Sequence, residues 1–492
     1  MPMADRSLCL GDEQGPQLTR EVPGRLDQVF NKHFGHPGLW PDQRAVIHRV
    51  MSNLSALVVM PTGWGKSVCF QIPAVADTSP GLTLVFSPLI ALMQDQVIGL
   101  ESRGIPGTCI NSSLDRSRRE LRYEAMARGK YRIVYVTPER MSRPRFREAV
   151  ARIPGGVRLL AVDEAHCIAQ WGHDFRPAYS QVGAYREDIG RPPVVALTAT
   201  APAAVRQEIR QVLGETDSSM PLFQAPLDRP NLDLEVVPVL DEDEKVSKIE
   251  QILGSCRGSG IVYVTLIRDL EFLVDRLRTC LPERQIVVYH GLLDAGERKR
   301  ISRRFANAQD DDNLLMIATN AFGMGIDKPD IRFIIHAQVP GSVESYYQEI
   351  GRAGRDGAPS RCILLYSSDD LRIQHDFIEW QDPPVDQLLR AAEVIANSGH
   401  NDFDEADLSR ELYGRRRNDP RSRGCLIQLE KLGVLESNVI PGRYQVCRTL
   451  DPAEVDEAFY REKKRRDLLR LQSVVEMTRV TCIRNFLTNY FA

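Results

Sequence analysis

From about residue 24 onward, short apolar runs rich in Val and Ile alternate with longer segments of helical periodicity. The first set of runs is Ala56–Met60, Leu82–Phe86, Ile133–Val136, Leu159–Val162 and Val194–Leu197. Each ends at small, polar or charged residues. Runs that are apolar throughout and separated by helices predict buried parallel sheet. Ligand-binding groups then belong at the carboxyl ends of the strands. A second set, Gly260–Val264, Ile286–His290, Leu314–Ala318, Ile331–His336 and Cys362–Tyr366, repeats the architecture. The stretch Leu222–Leu240, ending in the acidic run Asp241–Lys245, reads as the joint. Two α/β units in tandem imply a cleft in which a ligand is clamped.

The pattern changes after about Asp369. Val385–Asn397, Asp404–Tyr413 and Ser422–Leu432 have helical periodicity, and Val434–Val446 resembles a hairpin around Ile440-Pro441-Gly442-Arg443. Three short helices and a hairpin fit a winged helix; the helical pattern alone also fits a plain helical domain. Pro452–Phe491 is mostly helical and carries Lys463-Lys464-Arg465-Arg466, read either as a nuclear signal or as solvated helix charge. The expected division is a loose N-terminus over 1–23, α/β units over 24–220 and 221–370, a winged-helix-like α+β domain over 385–450, and a helical tail over 451–492.

Composition narrows the function. With 492 residues the chain exceeds one ordinary core, and a net charge of −3 gives no global sign of a nucleic-acid binder. A basic surface for phosphates must therefore be local. The ten cysteines include no CxxC pair, which favours buried thiols in a reducing compartment over a zinc site or disulfides. The N-terminus lacks the basic and apolar regions of a signal peptide, and no apolar run approaches the ~20 residues of a membrane span. The expectation is a soluble intracellular protein with no membrane partner.

Three segments carry chemistry. Met60-Pro61-Thr62-Gly63-Trp64-Gly65-Lys66-Ser67 joins a strand to a helix. The backbone N–H groups of such a loop cradle phosphates, its Lys reaches the β/γ-phosphates, and its Ser ligates Mg²⁺. Met60 stands where that pattern has Gly. Leu159–Val162 delivers the adjacent carboxylates Asp163 and Glu164. Asp163 suits Mg²⁺, and Glu164 suits the attacking water. The bland alternative is two acids capping the next helix, but their pairing with Lys66 and Ser67 at the end of another strand favours the catalytic reading. Gln348-Glu349-Ile350-Gly351-Arg352-Ala353-Gly354-Arg355-Asp356-Gly357 sets glycines around two arginines, fitting either a phosphate-directed arginine finger from the second unit or solvated loop arginines.

Together these segments resemble the helicases of superfamily two, and specifically the RecQ family. The family's motifs recur in order. Gln43 lies in a motif-zero-like stretch, the Lys66 loop is motif one, and Ser87–Gln96 is similar to motif Ia. Thr137-Pro138-Glu139-Arg140 is similar to motif Ib, Asp163–His166 to motif two and Leu197–Thr200 to motif three. Ala318–Pro329 is similar to motif five, and Gln348–Gly357 to motif six. The most family-specific stretch, Cys167–Pro177, resembles the aromatic-rich loop that touches single-stranded DNA and couples binding to hydrolysis. Trp171 and Phe175 offer stacking faces, worth ~1–3 kcal/mol per base, and Arg176 a phosphate contact. Some positions depart from the family. Trp64 replaces a glycine, and Trp40 or His36 takes the place of the aromatic that stacks the adenine. The segment after Thr481 resembles the start of a zinc module with no cysteine beyond Cys482, so zinc is not expected in this chain; the module is either cut short or lost.

The resemblance implies two tandem RecA-like domains that use ATP and Mg²⁺. Gln43, Thr62, Gly63, Gly65, Lys66, Ser67, Gly323 and Asp327 would hold the nucleotide, with Ser67 and Asp163 on the metal. Glu164, Gln348, Arg352 and Arg355 would be catalytic. Ser87, Thr137, Trp171, Phe175, Arg176 and Thr319 would meet DNA, with His166 and Gln170 relaying nucleotide state. Arg415, Arg416, Arg417, Arg421 and Arg423 would hold duplex, or are a solvated loop. The expected activity is 3′-to-5′ unwinding of forked or duplex DNA in repair or recombination, beside DNA-repair protein partners. A DNA-stimulated translocase that does not separate strands is the alternative, and a non-catalytic DNA-binding module the second.

Overall fold

The computed structural model describes residues 23–35, 38–169, 176–309, 313–323, 328–399, 402–414, 419–437 and 442–491. The first unit is built on β1 (Ala56–Val59), β2 (Leu82–Phe86), β3 (Gly107–Ile110), β4 (Ile133–Val136), β5 (Val157–Val162), β6 (Val194–Thr198) and β7 (Leu222–Gln224). They form one parallel sheet in the order β3-β4-β2-β5-β6-β1-β7. β1, β2, β4 and β6 are buried along their whole length, because helices cover both faces of the sheet. The N-terminal helix Pro23–Phe34 packs Leu26 and Phe30 against Ile47 and Ile72, outside the helix that follows the phosphate loop.

The second unit has β8 (Leu232–Pro238), β9 (Gly260–Tyr263), β10 (Gln285–Tyr289), β11 (Leu314–Ala318), β12 (Phe333–His336) and β13 (Ser360–Tyr366). This sheet is also parallel, in the order β10-β11-β9-β12-β13-β8. All ten apolar runs read from the sequence are strands. The stretch read as a joint is more than that: β7 closes the first sheet, so this sheet runs past residue 220, and β8 closes the second. Both are edge strands with half-exposed residues, so they lack the continuous apolar signal of the inner ones. The run Asp241–Lys245 starts the helix Glu242–Ser255. Asp241 caps it by accepting from the Glu244 N–H (2.8 Å), and three acids occupy the first turn, where the helix dipole favours them.

Beyond the second sheet, helices Val385–Asn397, Glu405–Tyr413 and Pro420–Lys431 share a small core of Leu388, Ile395, Phe403, Leu408, Leu426 and Leu429. An antiparallel sheet of β14 (Asp402–Asp404), β15 (Leu435–Ser437) and β16 (Arg443–Val446) completes this domain. Gly424 lets helix Pro420–Lys431 lie against the Trp380 carbonyl, where any Cβ would collide. The last two helices, Glu457–Arg479 and Ile483–Phe491, are not an independent tail. Val474, Met477, Ile483, Leu487 and Phe491 join the same core as β9, β11 and β12. Arg484 reinforces the joint by donating to the carbonyls of Leu232 (2.7 Å) and Arg229 (3.0 Å). The spacing Ile483, Leu487, Phe491 sets one apolar stripe on the second unit, at about 1.5–3 kcal/mol per buried side chain.

Candidate active site

The phosphate loop turns from β1 into helix Val68–Ala76 with Gly63 at φ +82° and Gly65 at φ +73°, a conformation that disfavours side chains. Ser67 is the N-cap residue, so the helix opens on the loop. Lys66 folds back, its Nζ donating to the carbonyls of Met60 (3.0 Å) and Pro61 (3.4 Å). Burial lowers its pKa, against the fields of Glu164 and Asp163. Gln43 braces the loop. Its Nε2 donates to the Trp64 carbonyl (2.9 Å) and its Oε1 accepts from the Trp40 N–H (3.0 Å), while the Trp40 and Trp64 rings stack at 6.0 Å.

β5 delivers Asp163 and Glu164 beside Lys66. Burial, then the neighbouring Glu164, pushes the Asp163 carboxyl up to about 7; Lys66 and the Ser87 hydroxyl work the other way. Burial raises Glu164 too, against Lys66 and Arg352. Two half-buried acids short of compensating charge, together with the Ser67 hydroxyl, are the hard oxygen set that suits a magnesium ion. Glu164 is one of the few non-glycine residues in the left-handed region (φ 49°, ψ 50°), a strain of about 1–3 kcal/mol at the residue expected to handle water.

His166 ties these acids to β6. Its Nδ1 lies 2.9 Å from Thr198 Oγ1 and 3.4 Å from Glu164 Oε2. The Thr198 hydroxyl donates to the Thr200 carbonyl (3.0 Å), so Nδ1 carries the hydrogen toward Thr198. Burial, then Lys66 and Arg176, holds the imidazole down at about 3 and therefore neutral. Gln348 of the second unit then donates to Thr200 Oγ1 (3.4 Å), which makes a polar chain from Glu164 into the second unit.

The arginine loop of the second unit meets the phosphate loop of the first. A Cβ on Gly63 would lie 3.2 Å from Arg355 Cδ, and one on Gly351 would lie 3.6 Å from Thr62 Cβ. Arg352 is buried and donates to the Gly323 carbonyl; a Cβ on Gly323 would lie 2.6 Å from its Nη2. The loop is held by two side chains that the sequence reading missed. Arg229 donates to the carbonyls of Ala353 (2.9 Å) and Gly354 (2.8 Å), and Asn231 to those of Gly354 and Ala358 (both 2.9 Å). Arg229-Pro230-Asn231 lies in the stretch read as a joint, and no local pattern points it at a loop more than a hundred residues away.

The residues expected at DNA are less uniform. Ser87 is only 1% exposed and sits beside the Asp163 carboxyl, not on an open face. Thr137 is half-buried at the start of a short helical turn. Arg176 donates to the Pro88 carbonyl (2.8 Å), which joins the aromatic-rich segment to the Ser87 segment. Thr319 lines a cavity of about 740 Å³ at the carboxyl ends of β9, β11 and β12, together with Thr265, His336, Gln338 and Arg423. Arg421 is paired with Asp419 (2.8 Å) and lies over the Tyr413 ring (4.1 Å), so the small domain's arginines are not all available. Gln170, Trp171, Phe175, Asp327, His36 and Arg415–Arg417 lie outside the described residues.

Residues 40–209 match the family described as DEAD/DEAH box helicase, and residues 244–357 match the helicase conserved C-terminal domain. The chain is 36% identical over 379 residues to the Bacillus subtilis (strain 168) protein named "Probable ATP-dependent DNA helicase RecS", covering 77% of this chain and 74% of that protein. It is 39% identical over 360 residues to the ATP-dependent DNA helicase RecQ of the same organism, covering 72% of this chain but 58% of that longer relative. Among solved structures, the DUF1998 helicase MrfA bound to DNA aligns with TM-score 0.58 at 18% identity, over 89% of this chain and 64% of that one. The DEAD-box helicase Mss116 bound to ssRNA and UDP-BeF aligns with TM-score 0.58 at 16% identity, over 84% of this chain and 94% of that one. At those identities the structures speak for the fold alone: two RecA-type parallel-sheet domains.

Proposed function

Since the chain belongs to the RecQ family of superfamily-two helicases, we propose that it is an ATP-driven motor that moves 3′-to-5′ along single-stranded DNA and separates duplex, in repair or recombination. The observation that carries this reading is the contact of Arg355 and Gly351 with the phosphate loop of the other unit, which makes a site that neither unit completes alone.

Bound ATP with its magnesium ion supplies the phosphoryl group that is transferred to water. Lys66, which donates to the Met60 and Pro61 carbonyls, would turn to the β/γ-phosphates, and Ser67 and Asp163 would hold the metal. Thr62, Gly63, Gly65, Gly323 and Asp327 shape the rest of the nucleotide site, with Gln43 setting the loop's conformation. Glu164 accepts the proton of the attacking water and Gln348 orients it. Arg355, supported by Arg352, stabilises charge on the transferring group. The chain Glu164, His166, Thr198, Thr200, Gln348 reports the state of this site to the second unit. The strand runs past Thr137, Arg176 and Thr319, with Trp171 and Phe175 stacking bases and Gln170 and Ser87 linking them to the acids. The domain of three helices and three strands acts as a winged helix that holds the duplex.

The test is steady-state ATP hydrolysis with and without single-stranded DNA, for wild type and Glu164→Gln. Strong stimulation that is lost in the variant is the expected result; no hydrolysis in either condition overturns the motor. A forked duplex with a fluorophore and quencher then separates unwinding from translocation alone.

A further inference from the structure

Helix Ala295–Asn307 follows β10 at the open edge of the second sheet and carries a charge pattern that the motor mechanism leaves unused. Lys299, Arg300, Arg303 and Arg304 stand at i, i+1, i+4 and i+5, which puts them on one face, and all four are exposed. The opposite face sets Phe305 and Ile301 on the core. None of the four cations has an ion-pair partner among the described residues; Arg304 donates to Gln285 Oε1 (2.8 Å). Lys299 with Arg303, and Arg300 with Arg304, are like-charge neighbours one turn apart, an arrangement that weakens a helix unless something compensates it. Other exposed arginines of this near-neutral chain do find acids, as in Arg465–Glu462, Arg461–Glu457 and Arg448–Glu454, but among the described residues no acid pairs with the four clustered here.

The position of the face matters as much as its charge. The helix is capped by Asp294, directly after Gly291 and Leu292, which line the mouth of the 740 Å³ cavity that holds Thr319. Across the cleft, Lys299 and Arg303 are the cations whose field acts on Asp95, on the first-unit helix Ile90–Ser102. The cationic face therefore lies between the Ser87–Gln96 segment of one unit and the cavity of the other.

We infer that Lys299, Arg300, Arg303 and Arg304 form a phosphodiester-binding face that guides a nucleic-acid backbone along the edge of the second unit that faces the Ser87–Gln96 segment, beside the cavity that holds Thr319. This rests on the reading of the chain as a DNA motor. Each cation engaged on a phosphate releases condensed counterions, so the contact is read in the salt dependence of binding: about 0.9 in the log–log slope per phosphate on duplex and about 0.7 on a single strand.

The experiment measures the affinity of the full chain for a fluorescein-labelled single-stranded oligonucleotide and for a blunt duplex across a salt series. Wild type is compared with Lys299→Gln/Arg300→Gln/Arg303→Gln/Arg304→Gln and with the charge-keeping Arg300→Lys/Arg303→Lys/Arg304→Lys. The glutamine variant should bind with a slope shallower by about 3–4, the lysine variant with the wild-type slope. A change on one probe alone identifies whether strand or duplex uses the face. An unchanged slope on both probes, in a wild type that binds DNA, overturns the inference and leaves the motor intact. An equal loss in the lysine variant overturns it as well, since charge would then not be the cause. A wild type that binds neither probe overturns the motor reading and this face with it.

Discussion

The two α/β units are built alike and equipped differently. At the carboxyl ends of its strands the first unit holds half-buried Lys66, Asp163 and Glu164 and buried His166, each pushed toward its neutral form by loss of water. The corresponding ends of the second unit line an open polar cavity, and the cations it sends to the shared site, Arg352 and Arg355, stand on a loop held by backbone carbonyls. On the proposed reading, one unit stores groups whose charge would change when metal and phosphate arrive, and the other supplies charge that would not. Hydrolysis would then depend on apposing the two, which would couple a chemical step to movement between domains.

That division is broken most sharply at Arg355. Arg355→Ala should slow hydrolysis on the order of a thousandfold, about 4 kcal/mol of barrier, with ATP affinity much less affected. Near-normal single-turnover rates would mean that the first unit suffices. Next in size is the footing of the second unit. Phe491 is 1% exposed against Tyr347, with ring centroids 5.1 Å apart, so Phe491→Ala should cost about 3 kcal/mol in the denaturant stability of the second unit. An unchanged midpoint would show that the terminal helix is dispensable.

A smaller effect is expected at Gly323, where an added methyl meets the Arg352 guanidinium. Gly323→Ala should lower kcat by roughly tenfold, about 1.4 kcal/mol, and leave thermal stability nearly unchanged. A loss of stability with kcat preserved would assign Arg352 to packing.

An effect spread over the pH scale sharpens the first unit's side of the contrast. His166 is held at about 3 in the fold, against the ordinary histidine value near 6.5 in the unfolded chain. Between pH 6.5 and 3 the unfolded chain takes up a proton that the fold refuses. This group therefore lowers stability as pH falls, by at most about 1.4 kcal/mol per pH unit, and has no effect above 6.5. Asp163, raised to about 7, has the opposite sign, since the fold keeps its proton where the unfolded chain has lost it. The test is the difference between wild type and His166→Gln in unfolding free energy against pH. Parallel curves between pH 4 and 6.5 would sink the buried neutral imidazole.

Local pattern was enough to identify the parallel sheets, the phosphate loop, the adjacent acids and the arginine loop. An inner strand has to be apolar throughout, a phosphate-cradling turn needs its glycines, and a carboxylate aimed at a metal has to end a strand; each demand is met within a few consecutive residues. Tertiary structure alone decided the remainder. β7 and β8 are half-exposed edges whose membership depends on the strand beside them. Arg229 and Asn231 brace the arginine loop only because folding carries them to a segment more than a hundred residues away. Ser87 reads as a surface contact in its motif, yet the fold seats it against Asp163. The terminal helix reads as a tail, yet its apolar stripe closes the core of the second unit. In all four cases the deciding energy comes from desolvation and long-range contact, which depend on which atoms end up adjacent and leave no trace in the spacing of residues along the chain.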